Sequence, residues 1–289
     1  MSFEIVTDSS SNLTDELIER YKLHILSLMF RVNGKEYYSY EKGKKTELKQ
    51  FYTMMRNKEE ITTTLIDINT CTPIFEEILE QGNDLLYIGF SSALSGSFQA
   101  ASMVLEDLKN TYPDCTILSV DTLGASLGEG LLVYHAAKLR EQGKNINEVY
   151  NWVLDNRLHL CHWFTVDDLF FLKRGGRVSG TSAVLGTILG VKPIMHMDNE
   201  GRLILVEKTR GRKRSLDTLI DRMQKTAIEP QNQTVFITHG DCIEDAQYVA
   251  DQVKQRFHVK DVLINYVDPV IGAHSGPGTI ALFFLGTER

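Results

Sequence analysis

Four serines fall within the nine residues Gly89-Phe90-Ser91-Ser92-Ala93-Leu94-Ser95-Gly96-Ser97. Hydroxyls at this density, joined by backbone N–H groups, suit an anion. There is no lysine and no Gly-Lys-Ser/Thr sequence, so a carboxylate or a single phosphate fits better than a nucleoside triphosphate. The competing account is that Ser91, Ser92 and Ser95 only vie to cap the next helix. The flanks supply the elements that would aim the cluster. Asp84-Leu85-Leu86-Tyr87-Ile88 reads as a buried strand, and Ala100, Ala101, Val104, Leu105 and Leu108 repeat as one helical face. Strand, small-residue turn and helix together place the hydroxyls at a positive helix end.

A second candidate is Gly124-Ala125-Ser126-Leu127-Gly128, a literal G-x-S-x-G after a strand and before a helix. Read as a nucleophile elbow it makes Ser126 the centre of a serine hydrolase or esterase, with Asp167 or Asp168 and His239 or His274 as partners. Thr122-Leu123 lengthen the turn, however, and no HGGG-type oxyanion segment is visible. The plainer account is that Gly124, Gly128 and Gly130 let helix and sheet pack closely. The basic runs 173–177 and 210–214 could bind phosphate, yet no magnesium-carrying carboxylate cluster accompanies a nucleotide loop. For 210–214 this leaves a solvated helix start or a docking surface. His159 and His162 read as structural. His274, flanked by glycines, reads as an imidazole in a flexible loop.

The 289 residues suffice for a sizeable core and for two domains rather than one. A net charge of −7 argues against a nucleic-acid partner. No apolar run reaches membrane-spanning length, and the first residues lack signal-peptide character. Cys71, Cys115, Cys161 and Cys242 are scattered, which speaks against a disulfide framework or a zinc site. No metal or cofactor is expected. A cytoplasmic protein with buried thiols is the expectation.

The pattern along the chain begins with a strand at 3–8, a hydroxyl-rich turn at 9–12 and a helix capped by Thr14. A strand at 24–32 turns at Asn33-Gly34 into 35–40. A helix spans about 47–55, Ile61-Thr62-Thr63-Thr64-Leu65 follows, and another helix covers about 72–79. The strand at 116–121 leads into helices near 126–142 and 146–158. Alternating strands and helices argue for a mostly parallel sheet with helices on both faces, and ligands gather beyond the carboxyl ends of such strands. Asp8-Ser9-Ser10, Ser91-Ser92 and Asp121-Thr122 all stand at strand ends and could converge there. The second half opens with a basic, glycine-rich loop at 172–179, a short apolar helix at 183–190 and a hairpin of 192–197 with 202–208. Helices at 215–227 and 244–257 alternate with strands at 234–238 and 262–266, and the apolar run 280–285 closes the chain. The expected fold class is α/β in two domains, 1–160 with a mostly parallel sheet and 161–289 of α+β type, the ligand between them.

Seven of these segments, in order over nearly the whole chain, resemble the DegV proteins. They are Ile5-Val6-Thr7-Asp8-Ser9, Thr62-Thr63-Thr64, Ser91 to Ser97, Val120-Asp121-Thr122, Leu172-Lys173-Arg174-Gly175-Gly176-Arg177, Arg210-Gly211-Arg212-Lys213 and Gly272-x-His274-x-Gly276-Pro277-Gly278. DegV proteins are bacterial fatty-acid-binding proteins that include the acyl-binding subunits (FakB type) of fatty acid kinase. The resemblance implies a non-enzymatic, lipid-binding protein that buries a long-chain fatty acid, such as palmitate or stearate, between two α/β domains. It presents the carboxylate to the kinase catalytic subunit, and the acyl phosphate formed feeds phospholipid metabolism. Carried over by position, Thr63, Ser95 and Gly96 contact the carboxylate, with Thr64, Ser91 and Ser92 behind them. Arg174 and His274 face the head group and the partner. The chain departs from the family at Thr63-Thr64-Leu65-Ile66-Asp67, where many members carry Thr-Ser-Gln-Pro-Ser. Apolar lining is expected from Val184, Leu185, Ile188, Leu189 and the run 282–285.

Overall fold

The computed structural model describes residues 2–44, 46–178 and 190–289. β1 (Phe3–Asp8) is buried along nearly its whole length, as a central strand of a parallel sheet must be. It lies between β2 (His24–Leu26) and β6 (Asp84–Gly89), and β7 (Ile117–Asp121) pairs with β6; every pairing in this sheet is parallel. A small antiparallel sheet joins β3 (Met29–Val32) to β4 (Lys35–Tyr38) and β5 (Ile61–Thr63). The expected strand at 24–32 is therefore two strands in two sheets. The break has a local cause: Leu28 N donates to Ser9 Oγ and Ser27 Oγ accepts from Tyr40 N, each at 3.0 Å, in place of ladder bonds.

From Leu160 onward the strands form a second, six-stranded sheet. β8 (Leu160–Thr165), β9 (Val191–Met197), β10 (Leu203–Arg210), β11 (Thr234–His239), β12 (Asp261–Tyr266) and β13 (Ile280–Leu285) lie in the order β10-β9-β8-β13-β11-β12. Only β11 and β12 run parallel. One face is covered by α8 (Arg212–Thr226) and α9 (Ile243–Phe257), which bury Leu219, Ile220, Val249 and Val253. The other face meets α5 (Leu127–Glu141), which touches β6 of the first sheet and β8, β11 and β13 of the second. α5 is accordingly apolar around its first turns, with Leu127, Leu131, Leu132 and Val133 fully buried. A Cβ at Gly128 would stand 2.1 Å from His162 Nε2, so the close packing expected of that glycine is present.

The remaining α-helices among the described residues are α1 (Asp15–Arg20), α2 (Leu48–Arg56), α3 (Ile68–Glu80), α4 (Ser97–Thr111), α6 (Ile146–Asn156), α7 (Phe170–Arg174) and α10 (Pro269–Ser275). Three of them revise the sequence reading. α3 starts at Ile68 because Asp67 caps it, accepting from Asn69 N at 2.9 Å. The basic loop at 172–179 is helical as far as Arg174, with Asp168 accepting from Phe170 N at 2.8 Å. The glycine-flanked His274 lies in the last turn of α10, not in a flexible loop. There Asp268 accepts from Val270 N and Ile271 N, and Pro269 holds the first helical position. The helix expected at 183–190, with Val184, Leu185, Ile188 and Leu189, falls outside the described residues except for Gly190.

Candidate ligand site

The three strand ends do converge, but into a closed network. Asp8 accepts from Phe90 N at 3.0 Å, Ser10 N at 3.1 Å and the Tyr87 hydroxyl at 3.2 Å, and also from the Ser10 hydroxyl. Asp121 accepts from Ser92 N and Leu123 N. Ser91, fully buried, donates to Gly201 O at 3.0 Å. Behind them Glu129 meets the hydroxyls of Thr7 and Ser10, each at 3.0 Å. Burial, opposed by these hydrogen bonds, raises the Asp8 carboxyl to about 6 and pushes Glu129 well above the usual carboxylate range. Ser10 has one proton and two carboxylate neighbours. Glu129 must bring its own proton, leaving a chain from Glu129 through Ser10 to an ionised Asp8.

In front of this network, between the first sheet's loops and the inner face of the second sheet, lies a cavity of about 280 Å³. Its apolar wall includes Phe90, Leu94, Phe164, Met197, Ile271 and Phe283. Of the run 282–285 only Phe283 faces it; Leu282 and Phe284 point to the α8–α9 side, as strand alternation demands. α10 runs beside the cavity and orients it. At its start Asp268 N donates to Asn12 Oδ1, which also accepts from Ser126 Oγ at 2.7 Å. At its end His274 Nε2 lies 2.8 Å from Thr63 Oγ1. The Ser126 and Thr63 groups thus stand at opposite ends of this seven-residue helix.

Polar groups collect at the Thr63 end. Thr63, Thr64, Ser95, Arg177, His274 and Ser275 all line the cavity there. Thr63 points inward because it shares a strand face with buried Ile61, whereas Thr62 is exposed. The threonine and serine segments are joined by Ser97, which accepts from Ile66 N at 3.2 Å and lies 2.9 Å from Ser95 Oγ. Gly96 is the α4 N-cap and brings no side chain to compete for the first-turn amides. Arg177 donates to Leu94 O, one residue before Ser95, and to Gly175 O. A Cβ at Gly175 would stand 2.2 Å from His274 Nδ1, so only glycine admits the imidazole. Burial first, then the Arg177 and Arg174 charges, hold the His274 imidazole down at about 4, so it is neutral at pH 7. The result is hydroxyls, a neutral imidazole and a guanidinium around one end of an apolar cavity, donors that suit a carboxylate.

Several expected site residues stand elsewhere. Ser91, Ser92 and Gly96 do not line the cavity; the Ser91 hydroxyl is spent on Gly201 O, and the Ser92 backbone N–H on Asp121. Arg174 lies outside it, over the rings of Phe170 and Phe171, with a long bond to Ala273 O. Arg177, three residues on, takes the inward position; it stood in the same basic motif, and only the turn after α7 decides between the two. Leu65, at the family's Gln position, lines the cavity while half exposed, and Asp67 serves as helix cap.

The hydrolase constellation is not assembled. Ser126 lines the cavity in a backbone conformation rare for a side-chain-bearing residue (φ 58°, ψ −152°), but its hydroxyl meets Asn12 and Thr238, neither a base. His274 is bonded to Thr63, Asp167 to Lys192, and His239 to Cys242 N. Asp168 accepts from Phe170 N at the start of α7. His162 also lines the cavity; its Nδ1 meets Leu160 O at 3.0 Å, which assigns the proton there and leaves Nε2 facing Ala125 N at 3.4 Å. Among the described residues no three His, Cys, Asp or Glu side chains cluster as a metal site. The four cysteines are free thiols, and burial pushes Cys161 and Cys242 up to about 12. Among the described residues no helix is long and apolar enough to cross a membrane.

An α/β pair of units enclosing an apolar cavity with a carboxylate-sized polar end is the setting of a lipid-binding protein. A family model described as an uncharacterised protein of the DegV family matches residues 2–287. A DegV domain-containing protein of Clostridium perfringens is 42% identical over 287 residues, covering 99% of this chain and 98% of its own length. Among solved structures, a DegV family protein from Thermus thermophilus described by its fatty acid binding aligns with a TM-score of 0.89 at 27% identity, over 99% of this chain and all of that one. Bacillus subtilis DegV, described as a fatty acid binding protein, aligns with a TM-score of 0.85 at 25% identity, over 99% of this chain and all of its own. The chain belongs to the DegV family.

Proposed function

We propose that this protein is a cytoplasmic, non-enzymatic carrier that buries one long-chain fatty acid, such as palmitate or stearate, with its carboxylate at the Thr63 end of the cavity. The observation that carries the reading is a largely apolar cavity lined at one end by Thr63, Ser95, His274 and Arg177, while the hydroxyl of Ser126 at its other end is taken up by Asn12 and Thr238. At roughly 0.8 kcal/mol per buried CH₂, a 16-carbon acid gains about 12 kcal/mol gross. Association and chain ordering take back a substantial part. The fatty-acid-binding relatives from Thermus thermophilus and Bacillus subtilis support the same ligand class. The carboxylate is presented to the catalytic subunit of a fatty acid kinase, and the acyl phosphate formed there serves phospholipid synthesis. Arg174, outside the cavity beside exposed Phe170, belongs to the partner-facing surface. His274, inside, serves the head group. The test is a pair of variants. Arg174→Ala retains fatty acid, but the carboxylate of that bound acid is phosphorylated poorly by added kinase subunit, whereas Thr63→Val loses the fatty acid itself. Equal turnover of Arg174→Ala and the unsubstituted protein would remove the partner role; full retention by Thr63→Val would remove the head-group assignment.

A further inference from the structure

The cavity wall at the Ser126 end is assembled from three separate segments: the loop after β7 (Ala125, Ser126), β8 (His162) and the β9–β10 hairpin (Met197, Leu203). A single side chain ties all three together. The Arg289 guanidinium donates to Leu160 O through Nε at 3.2 Å, and through Nη1 to Leu123 O at 2.8 Å and Asp198 O at 3.0 Å. Its Nη2 reaches Thr122 O at 3.4 Å and Arg157 O at 2.6 Å. A guanidinium has five N–H donors, and here five backbone carbonyls receive them. The carbonyls of Thr122 and Leu123 lead directly into Ala125, that of Leu160 stands two residues before His162, and that of Asp198 follows Met197. Leu160 O also accepts from His162 Nδ1, and the hairpin turn that starts at Asp198 is held to the first sheet's loops by the Ser91–Gly201 bond.

We propose that Arg289 is the positioning residue of this wall and thereby sets the length of acyl chain the cavity accepts. The inference rests on the fatty-acid reading of the cavity. The wall lies at the end of α10 away from His274 and Thr63, so the chain of an acid with its carboxylate at Thr63 runs toward it. Removing the guanidinium frees carbonyls of the loop after β7, of β8 and of the β9–β10 turn at once, and the wall gains freedom without losing any side chain that lines it.

The experiment compares Arg289→Met, which keeps length but has no donors, and Arg289→Lys, which keeps charge but cannot fork. Amide hydrogen exchange is measured on ligand-free protein, and native mass spectrometry follows competition among myristate, palmitate, stearate and arachidate. In Arg289→Met, exchange at residues 123–127 rises about tenfold or more while α9 stays unchanged, and the ratio between favoured and next-favoured acid shifts at least about threefold. Arg289→Lys falls between. Val249→Ala, a fully buried α9 position remote from the wall, lowers stability but leaves the ratio alone. Unchanged exchange, an unchanged ratio in folded Arg289→Met, or the same shift in Val249→Ala overturns the proposal. If the unsubstituted protein binds none of the acids, the carrier reading and the chain-length role fail together, and the exchange result alone then decides whether Arg289 holds the wall.

Discussion

Thr63 and His274 show how much one hydrogen bond organises. The contact joins β5 to the last turn of α10, 211 residues apart, and fixes both groups at the polar end of the cavity. A hydrogen bond to a charged group contributes about 1.5–3 kcal/mol. Thr63→Val or Ser95→Ala is therefore expected to weaken fatty-acid binding by about ten- to a hundredfold, measured by calorimetry, with little change in unfolding temperature. The neutral imidazole has a pH signature. Folding holds His274 at about 4, below its unfolded value near 6.5. Between those values the unfolded chain binds the proton that the folded chain refuses, so stability rises with pH through the window and is lost on acidification. His135, His196 and His239, each also lowered to about 4 by burial, act in the same direction. His274→Asn should flatten the fall of melting temperature between pH 6.5 and 4. A curve parallel to the unsubstituted protein's would show that the imidazole is not held neutral.

At the scale of elements, α5 decides the architecture, because it is packed between both sheets and carries Glu129 into the interior. An acid whose folded pKa is raised costs stability as pH climbs above its unfolded value, since the unfolded chain releases the proton first. Glu129→Gln replaces the protonated carboxyl with an amide that can donate to Ser10. It should leave the fold intact and raise stability at pH 8, where the unfolded carboxyl has released its proton and the folded one is held back from doing so. Destabilisation at pH 8 would mean that Glu129 is ionised in the folded chain. Gly175→Ala is the opposite kind of change. Its methyl occupies the place of His274 Nδ1, so fatty-acid retention should fall although the substitution adds one carbon. Retention equal to the unsubstituted protein's would show that the imidazole can move aside.

The elements were largely legible in the sequence, and the reasons for the exceptions are physical. Sequence patterns located β1, β6, α4, α5, the β9–β10 hairpin, β11 and β12, but not β8 in the middle of the second sheet. The split of β2 from β3 was hidden because Ser9 and Tyr40, distant in sequence, supply the bonds that end each strand. α10 was misread as a loop on the strength of its glycines, although Asp268-Pro269 is a helix-start signal that could have found it. Within the site, Thr63, Thr64, Ser95 and His274 line one cavity, while Ser91, its hydroxyl bonded to Gly201 O, and Ser92, its backbone N–H bonded to Asp121, do not. Which hydroxyl of a serine-rich turn faces a ligand depends on the bonds made around it, and the partners here, Gly201 for the Ser91 hydroxyl and Asp121 for the Ser92 backbone N–H, lie far along the chain. The same holds for Arg174 and Arg177.

For the whole molecule, the account requires that two units be held together tightly enough to keep an apolar cavity closed to water. Ser39 bonded to Asp268, Tyr52 to Val267 O and Arg289 to its five carbonyls all join parts on either side of β8. The central claim is that the cavity holds one long-chain fatty acid by its carboxylate. Native mass spectrometry of the purified protein, followed by denaturation and organic extraction, tests it most directly. The account predicts one fatty acid per chain, either retained from the cells or acquired on adding palmitate or stearate, and lost in Thr63→Val. A protein that stays empty after incubation with both acids, at concentrations that load the Bacillus subtilis relative, would contradict it.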